Sequence, residues 1–297
     1  MSRWRRVRGL ARRLRGSAPP SGDEVCRVCG SNDLKRRHVT FVKDETKSCD
    51  IRRCRVCGYV AILRTEESIW KEKTSLDHSS DRVGTPERVG REFHMGKLAA
   101  DVLARDGLSV LVYGAGGNMD NLHIEQLDEV KRVAIGDIMK LRDDAEFVDL
   151  TKPARERFDI VVASEVVEHF RNPRADFDRL FGFVEDDGLI IASTNIHAGN
   201  DLARDGYIFY PDHTSYYSPR SLRMIANDAG YHLDFRAPLL GPRMRKRYVF
   251  FSRSRDLLED VACYFGTEVY PPSESPQPLR PPPQRSHAGW RPTPGNG

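Results

Sequence analysis

The sequence predicts an α/β fold, and two observations carry that prediction. Short apolar runs rich in β-branched residues alternate with segments of helical periodicity across the middle of the chain, the pattern of a parallel sheet covered by helices. The first of those runs, residues 110–113, passes straight into a turn holding Gly114, Gly116 and Gly117. A third observation adds a small module ahead of the sheet: Cys26-Arg27-Val28-Cys29-Gly30 repeats as Cys54-Arg55-Val56-Cys57-Gly58.

Taken in order, residues 1–20 form a basic tail with seven arginines, no acids, and Trp4, Val7, Leu10 or Ala11 and Leu14 at helical spacing. Such a segment suits an anionic membrane surface or nucleic acid, and as a solvated tail it needs neither. No continuous apolar stretch follows the charges, so it does not read as a secretory signal.

Residues 21–64 read as a zinc ribbon. Each CxxC offers two thiolates from one tight turn, and the twenty-four residues between the pairs suit a tetrahedral site made by Cys26, Cys29, Cys54 and Cys57. A structural metal explains how about forty residues could fold without a sizeable core. Cys49 and Cys263 fall outside the motif and read as ordinary thiols. Between the knuckles Asp33, Asp44, Glu45 and Asp50 offset the lysines and arginines, which disfavours a nucleic-acid reader without excluding one.

Residues 65–90 read as a polar connection, and residues 91–105 as a helix with Met95, Leu98, Ala99, Val102 and Leu103 on one face. The glycine turn that follows the first strand is where backbone can approach a ligand, because no Cβ intrudes there. A dinucleotide fingerprint would need glycine at position 119, where Met119 stands. Residues 131–138 (KRVAIGDI) form a second strand with Asp137 near its end, about twenty residues on, the offset at which an acid meets a ribose hydroxyl. Further strands are expected at 147–150 (FVDL), 158–164 (FDIVVAS) and 189–194 (LIIAST), with an amphipathic segment at 174–184 and a turn at 185–188. Only eleven residues separate Asp137 from Asp149, so that crossover is expected to be a turn rather than a helix. From about residue 270 the chain is proline-rich, without apolar periodicity, and is expected to be disordered.

The order VLVYGAGG, IGD, FVDL, FDIVVASEVVEHF, DDGLIIAST resembles the class I S-adenosylmethionine-dependent methyltransferases, over residues 91–254. The later segment DHTSYYSPRSL with NDAGY is similar to the stretch after the fifth strand in small-molecule and sugar members of that class. The resemblance implies a Rossmann-like seven-stranded methyltransferase sheet, its closing strands near 232–235 and 247–252. It implies that Gly114, Ala115 and Gly116 pass beneath the methionine portion of the cofactor, that Asp137 accepts from the ribose, that Asp149 faces the adenine amino group, and that Ser164 and Glu165 line the cofactor. Where the family has a further glycine this chain has Asn118, a residue that tolerates left-handed backbone. The zinc-knuckle segment also resembles that of deoxysugar C-methyltransferases, whose further C-terminal domain has no counterpart here.

An activated methyl group leaves the protein to align the acceptor and, for an oxygen or carbon acceptor, to remove a proton. His169, His197 and His213 are the candidate bases. The expected activity is methyl transfer in the cytoplasm, with peripheral membrane contact through the tail left open, to a small polar acceptor such as a sugar or glycan precursor. An RNA or protein acceptor, and a non-catalytic zinc-containing binding protein, stand as alternatives.

Overall fold

A computed structural model describes residues 24–63, 82–240 and 245–267. The basic tail, most of the polar connection and the proline-rich extension lie outside the described residues. Two sheets organise the chain. The smaller is built by β1 (Leu34–Phe41), β2 (Asp44–Cys54) and β3 (Val60–Leu63), and completed by β9 (Ser215–Tyr216). The larger has seven strands: β4 (Leu108–Tyr113), β5 (Val130–Asp137), β6 (Glu146–Asp149), β7 (Phe158–Ser164), β8 (Val184–Asn195), β10 (His232–Arg236) and β11 (Lys246–Ser252). Their order is β10-β11-β8-β7-β4-β5-β6. Strands β4 to β8 run parallel, and β11 inserts antiparallel between β8 and β10.

Parallel strands need both faces covered, and the central strands are accordingly apolar and buried over most of their length. One face packs on α1 (Arg91–Leu103) and α5 (Arg255–Tyr264), through Met95, Leu98, Leu258 and Val261. The opposite face carries α3 (Pro173–Phe181) and α4 (Pro219–Asp228), and its core runs without a break into Cys26, Val28, Cys54, Cys57 and Tyr59. The zinc-ribbon segment, expected as a module of its own, therefore shares one hydrophobic core with the larger sheet. Helix α5 buries Leu257, Leu258, Val261 and Ala262, so the packed domain continues past residue 254, where the sequence reading ended it.

Two local expectations, at residues 185–188 and at Asn118, differ from the structure. Only a single short helix, α2 (Asn121–Ile124), follows the glycine turn before β5. Residues 185–188 are part of β8 rather than a turn, with a register shift opposite Phe158 and Ile160. A Cβ on Gly188 would sit 2.7 Å from the Asp159 carbonyl oxygen, so this glycine serves close strand approach. Among the described residues the left-handed non-glycine residues are Ala104 and Glu165, not Asn118. The crossover from β5 to β6 lacks a helix, as the short spacing implied.

Candidate active site

The carboxyl ends of the neighbouring parallel strands β4, β5, β7 and β8 lie along one edge of the sheet, where an open α/β sheet usually has its ligand crevice. At the end of β4 the chain turns through Gly114 at φ +71° and Gly116 at φ +54°, conformations that side chains with a Cβ rarely adopt. The amides of Gly114 and Ala115 both donate to the Gly136 carbonyl, at 2.7 and 3.1 Å. The Gly116 amide donates to Asp137 Oδ2 at 2.8 Å, and no atom lies within 4 Å of a Cβ built on Gly116. The turn therefore exposes backbone on one side while a carboxylate fixes it on the other.

Asp137 and Asp149 end neighbouring parallel strands and pair in register. Asp149 is engaged by its own turn, accepting from the Thr151 amide at 3.0 Å and the Thr151 hydroxyl at 2.6 Å, with Lys152 Nζ at 2.8 Å. Those contacts, the lysine foremost, hold its carboxyl down to about 2.

Beyond β7 the sequence EVVEH makes a sharp corner. Ser164 is buried, its hydroxyl 3.2 Å from that of Ser193. Glu165 sits at φ +57°, a strained position for a residue with a long side chain. Its carboxylate accepts from Ser193 Oγ at 2.8 Å, pairs with Lys246, and has Arg91 Nη1 at 3.9 Å. Burial, with Arg91 and Arg82 near by, pushes the Lys246 ammonium down, and the Glu92 carboxylate opposes that shift. Glu168 is fully buried; Thr194 Oγ1 donates to its Oε2 at 3.2 Å, and Oε1 has no hydrogen-bond partner. Burial pushes this carboxyl up to about 7.

The three histidines lie on the β7 and β8 side of the crevice, within or against the segment 197–217. His169 and His213 stack edge to face with ring centroids 5.2 Å apart. Each directs Nδ1 at a backbone carbonyl, Asp212 at 3.0 Å and Tyr207 at 2.7 Å. A carbonyl only accepts, so Nδ1 carries the proton and, in the neutral ring, Nε2 holds the lone pair. His197 is separate and buried, with Nδ1 3.1 Å from Asn200 Oδ1 and its ring 5.2 Å from that of Tyr216. Burial lowers its pKa, and Nε2 has no hydrogen-bond partner.

The thiols of Cys26, Cys29, Cys54 and Cys57 converge, all four sulfurs within 4.8 Å of one another and none in a disulfide. The Cys26–Cys57 and Cys29–Cys54 sulfurs are each 3.5 Å apart. Zinc–thiolate bonds of about 2.3 Å place tetrahedral sulfurs about 3.8 Å apart, so the donors fit that ion in number, softness and spacing.

Residues 94–234 match the family model described as a methyltransferase domain. The match runs from within α1 to within β10 and so takes in the glycine turn and the EVVEH corner. No curated protein matches the chain. Among solved structures, the methyltransferase domain is similar to the Burkholderia thailandensis 1,6-didemethyltoxoflavin-N1-methyltransferase with bound S-adenosylhomocysteine: 17% identity, 52% of this chain and 74% of that one, TM-score 0.40. The putative methyltransferase in complex with the Haloferax volcanii Trm112 activator gives 14% identity, 56% and 91% coverage and a TM-score of 0.42. The plantazolicin methyltransferase BpumL gives 11%, 56%, 85% and 0.43. The four-cysteine site lies outside the matched residues of the methyltransferase domain.

Several participants at the crevice escape a sequence reading. Arg91, Glu92, Asp120 and Lys246 come from far apart in the chain and carry no motif of their own. Asn118, singled out for its backbone, acts through its side chain: Nδ2 donates to Glu92 Oε2 at 2.6 Å and Oδ1 accepts from the Asp120 amide at 2.6 Å.

Proposed function

We propose that the chain transfers a methyl group from S-adenosylmethionine to a small polar acceptor, with a sugar or glycan precursor as the leading class. The carrying observation is the Gly116 amide held 2.8 Å from Asp137 beneath an open face of left-handed glycine backbone. S-adenosylmethionine supplies an electrophilic methyl group when bound. Gly114, Ala115 and Gly116 hold its methionine portion, Asp137 receives its ribose hydroxyls, Asp149 lies toward adenine, and Ser164 and Glu165 line the reacting end. His169 and His213, with Nδ1 fixed and Nε2 basic, are the bases best arranged to take the acceptor proton; His197 is the third candidate. The four cysteines hold a structural zinc ion.

Calorimetry on zinc-retaining protein with S-adenosylhomocysteine tests the cofactor reading. Binding is expected, and Asp137→Ala is expected to weaken it at least tenfold while leaving the fold intact. No binding to the unaltered protein would favour a non-catalytic role. A screen of acceptor classes reading out the demethylated cofactor then tests the acceptor. An RNA acceptor is favoured by one feature of the small sheet, where Lys35 faces Arg53 and Arg36 faces Arg52 across β1 and β2. Basic side chains set opposite one another across two strands suit a phosphate backbone. Salt-dependent RNA binding would promote that reading.

A further inference from the structure

The four-cysteine module reaches the histidine side of the crevice through a short chain of buried contacts. Strand β3 pairs antiparallel with β9, Val60 opposite Tyr216 and Ala61 opposite Ser215, and the Ile62 amide donates to the Thr214 carbonyl at 2.9 Å. The Tyr59 and Ser215 hydroxyls are 2.7 Å apart, and the Ser215 hydroxyl donates to the Phe170 carbonyl at 2.6 Å. Ser215 has one proton, so Tyr59 is the donor in that pair. Tyr59 is itself tied to the knuckle, its carbonyl accepting from the Cys54 amide at 2.8 Å. Ser218 adds a second tether, donating to the Cys57 carbonyl at 2.5 Å.

The two backbone segments joined by this relay carry His169 and His213. Thr214 bonds back to the first of them, its amide to the Glu168 carbonyl at 2.9 Å and its hydroxyl to the Phe170 carbonyl at 3.0 Å. Val60 and Ile62 share a core with Tyr207, Phe209 and Tyr216, which wall the same side. The glycine turn is held differently, by Gly136 and Asp137 of the larger sheet.

From this we infer that Tyr59 is a positioning residue, through which the metal-binding module sets the spacing of His169 and His213 and hence the acceptor side of the site, leaving the cofactor cradle untouched. The inference deepens the methyl-transfer reading and rests on it for the meaning of that side. It gives the module a part in acceptor recognition rather than in folding alone.

The test uses the full zinc-loaded chain and Tyr59→Phe, which keeps the ring and removes the donor, with Ser215→Ala as a second variant breaking the same contact from the other side. Amide exchange in residues 167–170 and 213–217 is expected to quicken at least tenfold in both, with β4, β5 and β7 unchanged. The ring resonances of His169 and His213 are expected to shift, zinc content to stay at one per chain, and the Kd for S-adenosylhomocysteine to stay within twofold. Stripping zinc with a chelator is expected to loosen the same two segments first. Unaltered exchange and unaltered histidine resonances in both variants would overturn the inference, as would a tenfold loss of S-adenosylhomocysteine binding in parallel. Failure of the unaltered protein to bind S-adenosylhomocysteine would count against the methyl-transfer reading, whatever the exchange data show.

Discussion

The buried carboxylate of Asp120 accepts the amide protons of Gly90 and Glu92 at 2.6 and 3.0 Å, capping helix α1 from the far end of the glycine turn. Helix α1 has no side-chain cap of its own, so this remote acid satisfies donors that would otherwise be orphaned. Asp120→Ala is expected to cost about 3 kcal/mol in urea unfolding, the sum of two charge-assisted bonds less relaxation. Asp120→Asn keeps one acceptor oxygen and is expected to cost about half of that.

At Gly114 an added Cβ would lie 2.6 Å from Val166 Cγ2, and the backbone stands at φ +71°. Gly114→Ala should therefore destabilise the fold by about 2 kcal/mol, strain and overpacking together. Adding Val166→Ala should return only the overpacking part, because the backbone strain is untouched. Full recovery in the double variant, read by thermal melting, would show that strain is negligible here.

Glu168 gives a pH signature. Its folded pKa is raised by burial to about 7 from the unfolded value of 4.5, so the folded state holds a proton that the unfolded state loses first. The contribution is absent below the unfolded pKa and destabilising above it, growing as pH rises through about 4.5 to 7. Glu168→Gln is expected to flatten that limb of the stability profile and to gain about 2 kcal/mol at pH 8. A variant profile parallel to the original would remove Glu168 as the source.

Lys246 is nine-tenths buried beside Glu165, with side-chain exposure of 10%. Removing the carboxylate alone strands an ammonium in a poorly solvated place. Glu165→Ala is thus expected to destabilise by about 2 kcal/mol, and Glu165→Ala with Lys246→Met to recover most of it. Equal losses in the single and double variants, measured by chemical denaturation, would mean that the pair is not coupled.

Local pattern made the sheet legible. β-branched runs, the glycine turn and the acids Asp137 and Asp149 each announce themselves within a few residues, as do the paired CxxC motifs that bring four sulfurs together. Gly188 misled because glycine before a strand reads as punctuation, whereas here it admits the Asp159 carbonyl. Asn118 misled because a short polar residue in a glycine loop suggests backbone freedom, while its side chain bridges Glu92 and Asp120. Contacts such as Tyr59 with Ser215, or Glu165 with Lys246, have no local signature, because topology alone brings the partners together.

Strand β9 closes a sheet whose other strands were made long before it: Tyr59 and Ser215 are 156 residues apart. During synthesis the edge of β3 stays open until five of the seven strands of the larger sheet, β4 to β8, have left the ribosome. An unpaired apolar edge of Val60, Ala61 and Ile62 is an invitation to aggregate over that interval. Ribosome-released fragments ending before residue 215 should accordingly be stickier than the whole chain, and assembly should show a late, slow phase set by long-range closure.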